Sequence, residues 1–246
     1  MCININDAPM GKPLILLSVT DTDLEERLNH LGLFYGSRIM RLEQEVQAET
    51  VRIIGPGGAV VFSGSMAMRT VVHLNDGRRL PLSEMSPGET GHIEGRTGGK
   101  TLAETFDAFG LKPDDPIQCE RRLPPMDYVA VIENSCRVRL TEGMCAKIWG
   151  RMAERNIQFV SARTGEIFYV EKILGGKSGR DMFLLLGIIP GKKLVLEKVA
   201  QAGNLRIGKQ TTLVIVSREG LRLFLDKEDA KHISVRNVRN DESVSM

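Results

Sequence analysis

The chain has 246 residues, of which 42% are hydrophobic and 26% are charged, and its formal net charge is +2. This composition is ordinary for a soluble protein, and no apolar run approaches the roughly 18–20 residues of a membrane-spanning helix. The N-terminus lacks the pattern of a secretory signal, and the four cysteines form no CxxC pair. We therefore expect reduced thiols and a cytoplasmic location.

Charge is spread unevenly along the chain. Residues 153–246 carry a net charge of +5, but at most two bases are adjacent there and only 5% of the chain is aromatic. A solvated surface is therefore favoured over nucleic-acid binding.

The longest apolar run, residues 182–190, is interrupted by Gly187 and is predicted to be a buried helix end.

One short frame recurs three times: a helix-like run that ends in an apolar residue, a glycine and another apolar residue. It reads Leu31-Gly32-Leu33, Phe109-Gly110-Leu111 and Leu186-Gly187-Ile188, at intervals of 78 and 77 residues. Such spacing predicts a small module in three copies, at 1–80, 81–152 and 153–238, followed by a disordered tail at 239–246. A module of this size rarely encloses an active site, and no nucleophile motif is present, so we expect no enzyme.

The middle module shows the predicted elements most clearly. A strand over Glu89–Arg96 is followed by a Gly98-Gly99 turn and a helix capped by Thr101, which ends where Gly110 adopts a left-handed conformation. Strands then follow at Ile117–Arg122, Tyr128–Glu133 and Arg137–Leu140, and a closing helix at Glu142–Trp149. In the third module, Thr211–Val216 is strongly β-forming.

The outer modules contain longer hairpins than the middle one. These hairpins lie at Glu45–Gly58 and Ala200–Gln210, each about eight residues longer than its counterpart in the middle module. Such extensions commonly mediate contacts, but a tolerated surface insertion explains them equally well.

The order of elements resembles the ferrous-iron transport protein A (FeoA) family, and the middle module carries most of the motifs. They are Leu82-Ser83-Glu84, Pro87-Gly88-Glu89, Phe109-Gly110-Leu111-Lys112-Pro113, and Arg121, Pro124 and Asp127 in the family's Arg-x-x-Pro-x-x-Asp hairpin. The third module keeps Gly187-Ile188-Ile189-Pro190-Gly191, and the first, with Tyr35-Gly36 in place of Pro-Gly, diverges most. The C-terminal barrels of some metal-dependent repressors are equally similar.

This resemblance implies a mainly β fold of three tandem small SH3-like β-barrels, each with a short helix after the first strand and a short closing helix. It also implies the absence of catalytic residues. The role it implies is that of a cytosolic accessory protein of ferrous iron transport, which contacts a ferrous-iron permease or its GTPase domain and meets the membrane only through that partner. The usual family member has one module, so a chain with three modules departs from the family pattern.

The alternative function is a metal-responsive regulator or sensor that binds Fe²⁺, Zn²⁺ or another divalent transition metal. Its candidate ligands are Cys119, Cys136 and Cys145 of the middle module. However, Cys119 follows the apolar Ile117 by two residues, which favours a small core residue over a metal ligand. No other cofactor is expected, and a scaffold unconnected with iron is the third hypothesis.

Two glycine-rich turns, Gly98-Gly99-Lys100-Thr101 and Gly176-Lys177-Ser178, resemble the end of a phosphate-binding loop. That loop needs a glycine five positions before its last one, and Glu94 and Glu171 stand there instead. A turn followed by a helix cap is therefore the favoured interpretation.

Apolar residues continue beyond each of the three helices and are the candidate partner-binding residues. They are Leu33, Phe34, Tyr35, Leu111, Pro113, Ile188 and Ile189. Some must enter the cores, and the others either seal one module against its neighbour or bind an external protein, with a homo-oligomer as a further option.

Overall fold

The computed structural model describes residues 2–42, 49–123, 126–133, 136–201 and 212–238. These residues are mainly β, as predicted. The strands are β1 (Ile3–Asn4), β2 (Pro13–Val19), β3 (Arg38–Leu42), β4 (Thr50–Gly55), β5 (Gly58–Phe62), β6 (Thr70–Leu74), β7 (Arg79–Pro81), β8 (Thr90–Arg96), β9 (Pro116–Leu123), β10 (Met126–Ile132), β11 (Cys136–Thr141), β12 (Ile148–Met152), β13 (Arg155–Gln158), β14 (Ile167–Ile173), β15 (Lys193–Gln201), β16 (Thr212–Ser217), β17 (Arg222–Asp226) and β18 (Ile233–Asn237). The helices are α1 (Thr22–His30), α2 (Gly64–Ala67), α3 (Lys100–Phe109), α4 (Glu142–Cys145), α5 (Lys177–Leu185) and α6 (Lys227–Ala230), with 3₁₀ turns at Leu82–Glu84 and Phe159–Ser161.

The strands form three six-stranded sheets. The strand order is β1-β18-β2-β3-β16-β17 in the first sheet, β5-β4-β9-β8-β6-β7 in the second and β11-β10-β15-β14-β12-β13 in the third. Each sheet is associated with its own cluster of buried apolar side chains, around Leu28, Phe106 and Phe183 respectively. That each sheet closes into an SH3-like barrel stays a prediction.

Each sheet combines strands from two of the predicted modules. The second sheet joins β4–β6, from residues 1–80, to β8 and β9, from residues 81–152. The third sheet joins β10–β12 to β14 and β15, and the first joins β2 and β3 to β16–β18 from the other end of the chain. Every repeat therefore divides between two sheets, and the folded unit is the second half of one repeat with the first half of another.

The recurring apolar-glycine-apolar frame ends the three long helices in the same way, as predicted. After α3, the Leu111 N–H donates to Phe106 O at 2.9 Å and the Gly110 N–H donates to Asp107 O at 3.1 Å. This is the Schellman pattern, in which a left-handed residue lets two helical carbonyls find donors. Gly32, Gly110 and Gly187 supply that residue, with φ of +82°, +66° and +76°.

Two local predictions for the middle module are wrong. The N-cap of α3 is Gly99, without a side-chain cap, and Thr101 lies inside the first turn. The closing helix ends at Cys145, because the next residues form β12 and pair with β14. The predicted tail, residues 202–210 of one long hairpin and residues 45–48 of the other lie outside the described residues.

Candidate docking surface

Three of the seven candidate partner-binding residues are buried. Leu33, Leu111 and Ile188 are 3%, 3% and 0% exposed and belong to the first, second and third cores. Each directly follows the left-handed glycine, and its N–H is tied back to the helix, so its side chain is directed to the core. These three residues are therefore unavailable to an external partner.

Phe34 and Tyr35, by contrast, are 59% and 77% exposed. A tight turn holds them, since the Phe34 N–H donates to Ser37 Oγ at 3.0 Å and the Ser37 N–H donates to Phe34 O at 2.9 Å. The Gly36 N–H donates to Leu16 O at 2.9 Å, which ties the turn to β2. Two large aromatic rings are thus presented to solvent on an ordered backbone, an arrangement typical of protein-binding sites.

The equivalent turns of the other repeats are less apolar at the surface. Pro113 is exposed and Ile189 is half-buried. In the middle repeat Lys112 takes the position of Phe34, and its N–H donates to Asp115 Oδ2 at 2.7 Å. The aromatic pair therefore belongs to the first repeat alone, which the uneven motif in the sequence could have shown.

The candidate thiolate ligands do not converge. Cys119 is fully buried in the second core, as its position after Ile117 predicts, and Cys145 is fully buried in the third. Cys136 is exposed at the start of β11. Burial raises the pKa of the Cys119 and Cys145 thiols, which disfavours the thiolate form that binds metal. No cluster of three or more His, Cys, Asp or Glu side chains suited to a metal occurs within the described ranges.

Both glycine-rich turns line one cavity of about 330 Å³ between the three sheets. Arg69, Lys147 and Asp226 also line it, and Arg69 is ion-paired with Asp226. Burial lowers the pKa of Lys147. The cavity has side chains of both charge signs and is distinct from the exposed aromatic turn.

The prediction of a buried helix end at residues 182–190 is wrong for its first part. Met182, Leu184 and Leu185 on α5 are 41%, 62% and 88% exposed. Five consecutive apolar residues precede Gly187. A single face of a helix cannot bury all five of them against one core. These five residues therefore indicated a second apolar face on the helix.

Within the residues that the structure describes, no helix is both long and apolar enough to cross a membrane.

Comparison with known proteins places the resemblance in the middle of the chain. Residues 80–152 match the FeoA domain model, which is under a third of the chain. The matched segment contributes β8 and β9 to the second sheet and β10, β11 and β12 to the third, and it includes the helices α3 and α4. No curated protein and no solved structure matches the chain. For the first and third repeats, membership of this family stays a prediction.

Proposed function

We propose that the protein is a non-enzymatic accessory protein of ferrous iron transport, which acts by binding the cytosolic part of a ferrous-iron permease or its GTPase domain. The observation that supports this proposal is the FeoA domain match over residues 80–152. An accessory protein without an active site acts by binding other proteins, and the exposed aromatic residues Phe34 and Tyr35 form an apolar surface suited to such binding.

The contact is assigned to Phe34 and Tyr35. Fully burying an aromatic side chain of this size contributes about 1.5–3 kcal/mol, and the hydrogen-bonded turn lowers the entropy that is lost on binding. Removing both rings should therefore weaken binding by at least tenfold, because tenfold corresponds to only about 1.4 kcal/mol.

Calorimetric titration of the full chain with the cytosolic domain of a ferrous-iron permease tests this proposal. The native chain should bind, whereas the double variant Phe34→Ser, Tyr35→Ser should bind at least tenfold more weakly. The control is Met10→Ser with Ile54→Ser, which removes two other exposed apolar side chains, 48% and 43% exposed. Absence of binding by the native chain at micromolar concentration would contradict the partner, and equal weakening by the control would contradict the site.

A further inference from the structure

The three long helices present equivalent faces. Positions 27, 105 and 182 correspond through the 78- and 77-residue offsets, as do positions 30, 108 and 185. They are three residues apart and therefore lie on the same side of each helix. The residues of this face are Arg27 and His30 on α1, Thr105 and Ala108 on α3, and Met182 and Leu185 on α5.

The face of α1 packs on the second sheet. The Arg27 guanidinium donates to Thr97 O, and only 9% of the Arg27 side chain is exposed. His30 Nε2 lies 2.7 Å from Glu94 O. The strand beneath has Gly95, where a Cβ would lie 3.1 Å from His30 and 3.2 Å from Leu31. A small residue at this point lets the helix approach the sheet closely.

The end of α3 lies against the third sheet. Thr105 is fully buried, and Phe109 at the helix end lies against Trp149 of β12 with ring centroids 5.9 Å apart. Leu174, which directly follows β14, belongs to the same apolar cluster as Phe106 and Phe109. Two of the three equivalent helices are thus covered by the next sheet along the chain.

The strand register identifies the place in each sheet that is equivalent to the one beneath α1. It is the residue pair directly before the β-bulge: Val71 with Gly95 in the second sheet, and Trp149 with Lys172 in the third. In the first sheet the pair is Ser234 with Ser18. Thr97, two residues after Gly95, and Thr20, two residues after Ser18, are also equivalent. Their N–H groups donate to Arg69 O and His232 O respectively.

Both halves of the third such interface are uncovered. Met182 and Leu185 of α5 are 41% and 88% exposed. On the first sheet, Ser18 and Thr20 are exposed and Ser234 is only partly buried. Ser18 and Thr20 carry small side chains at the positions of Gly95 and Thr97, so this part of the first sheet leaves room for a helix to pack. Within one molecule these two surfaces do not cover each other.

We propose that the face of α5 formed by Met182 and Leu185 packs on β2 and β18 of a second copy of this chain. The occupant is a second copy because, among the described residues, α1 and α3 each lie against the next sheet, whereas the face of α5 and the equivalent part of the first sheet are both exposed, so two copies of the chain bring one of each together. The contact is head-to-tail, so an open assembly of any size keeps one free helix face at one end and one free sheet face at the other, and assembly continues until a ring closes or a filament forms. This proposal does not depend on the partner in iron transport.

Sedimentation equilibrium of the full chain, from low micromolar to several hundred micromolar, tests the proposal. The native protein should show a mass that rises with concentration by whole chains. Leu185→Glu on α5 and Ser18→Arg on β2 should each stay monomeric, and a mixture of the two should form a dimer, because each variant retains the surface that the other lacks. The control Ile54→Glu places the same charge at an apolar residue that is 43% exposed on β4 of the second sheet, and should associate like the native chain.

A native protein that remains monomeric throughout this range overturns the proposal. It is also overturned if Leu185→Glu prevents association while Ser18→Arg does not, since α5 would then pack on itself rather than on the first sheet. Both replaced residues are exposed, so thermal unfolding of the variants should match that of the native monomer. A dimer in the mixture cannot arise from misfolded variants and supports the head-to-tail contact directly.

Discussion

Gln158 is predicted to connect the second and third sheets, and replacing it with methionine tests that role. Gln158 is 3% exposed and ends β13. Its Nε2 donates to Val61 O and to Ala146 O, and its Oε1 accepts from the Val61 N–H, all at 2.7 Å. Val61 lies on β5, an edge strand of the second sheet, so the glutamine amide pairs with that edge as a neighbouring strand would.

Methionine has a similar length but cannot make these three hydrogen bonds. Each bond contributes about 1 kcal/mol net, and a buried backbone group left unpaired costs about 1–3 kcal/mol, so the free energy of unfolding should fall by about 3–5 kcal/mol. For a chain of this size that loss corresponds to about 10 °C in the midpoint of thermal unfolding.

Trp149 makes this loss measurable, because it is the only tryptophan and pairs with Gln158 between β12 and β13. Its fluorescence should report guanidinium unfolding of the native chain, of Gln158→Met and of the control Gln118→Met, which makes the same exchange at an exposed position. The control should change little. A loss below about 1 kcal/mol for Gln158→Met would refute the reasoning, because water would then be satisfying Val61 and Ala146.

Three further variants have defined expectations. Gly150→Ala should lower the free energy of unfolding by about 1–3 kcal/mol by overpacking, since its Cβ would overlap the Tyr169 carbonyl and lie 2.7 Å from the Phe168 ring; denaturant unfolding close to native would contradict that packing. Gly179→Ala in α5 meets no atom within 4 Å and should stabilise by about 0.5–1 kcal/mol, measured as a higher denaturation midpoint. Burial raises the pKa of Glu142 above 4.5, so its contribution to stability is complete below that pH and is lost as pH rises through the folded-state pKa. Glu142→Gln should therefore gain thermal stability relative to the native chain as the pH rises from about 4.5 through the folded-state pKa of Glu142, and a gap that does not change with pH would oppose this account.

Local features of the fold could be predicted from the sequence because they depend on neighbouring residues. The helix end at Gly110 follows from a left-handed glycine and the flanking apolar pair, and the burial of Cys119 follows from alternation along β9. The exposed aromatic pair Phe34 and Tyr35 was among the candidate partner residues for the same reason. The prediction that Thr101 caps α3 was wrong, because the helix begins at Lys100 and its N-cap is Gly99.

Pairing between strands could not be predicted in this way. Apolar alternation tells which face of a strand is buried but does not tell which strand lies beside it. Three similar repeats make the strand pairing harder to predict. The strands in the first half of one repeat could pair equally well with the second half of the same repeat or with the second half of a neighbouring repeat, because both have similar apolar patterns. The exposure of Leu185 depends on this choice as well, since a helix face is covered only where the next sheet is in place.

The sequence by itself determined that the chain is mainly β, that the apolar-glycine-apolar frame recurs three times, and where each long helix ends, since these properties rest on residues close together in sequence. The tertiary structure decided that each sheet draws on two repeats and that the first sheet unites the two ends of the chain. It also separated the buried residues Leu33, Leu111 and Ile188 from the exposed pair Phe34 and Tyr35, which follows Leu33. These outcomes depend on contacts between segments far apart in sequence, which only the folded chain brings together.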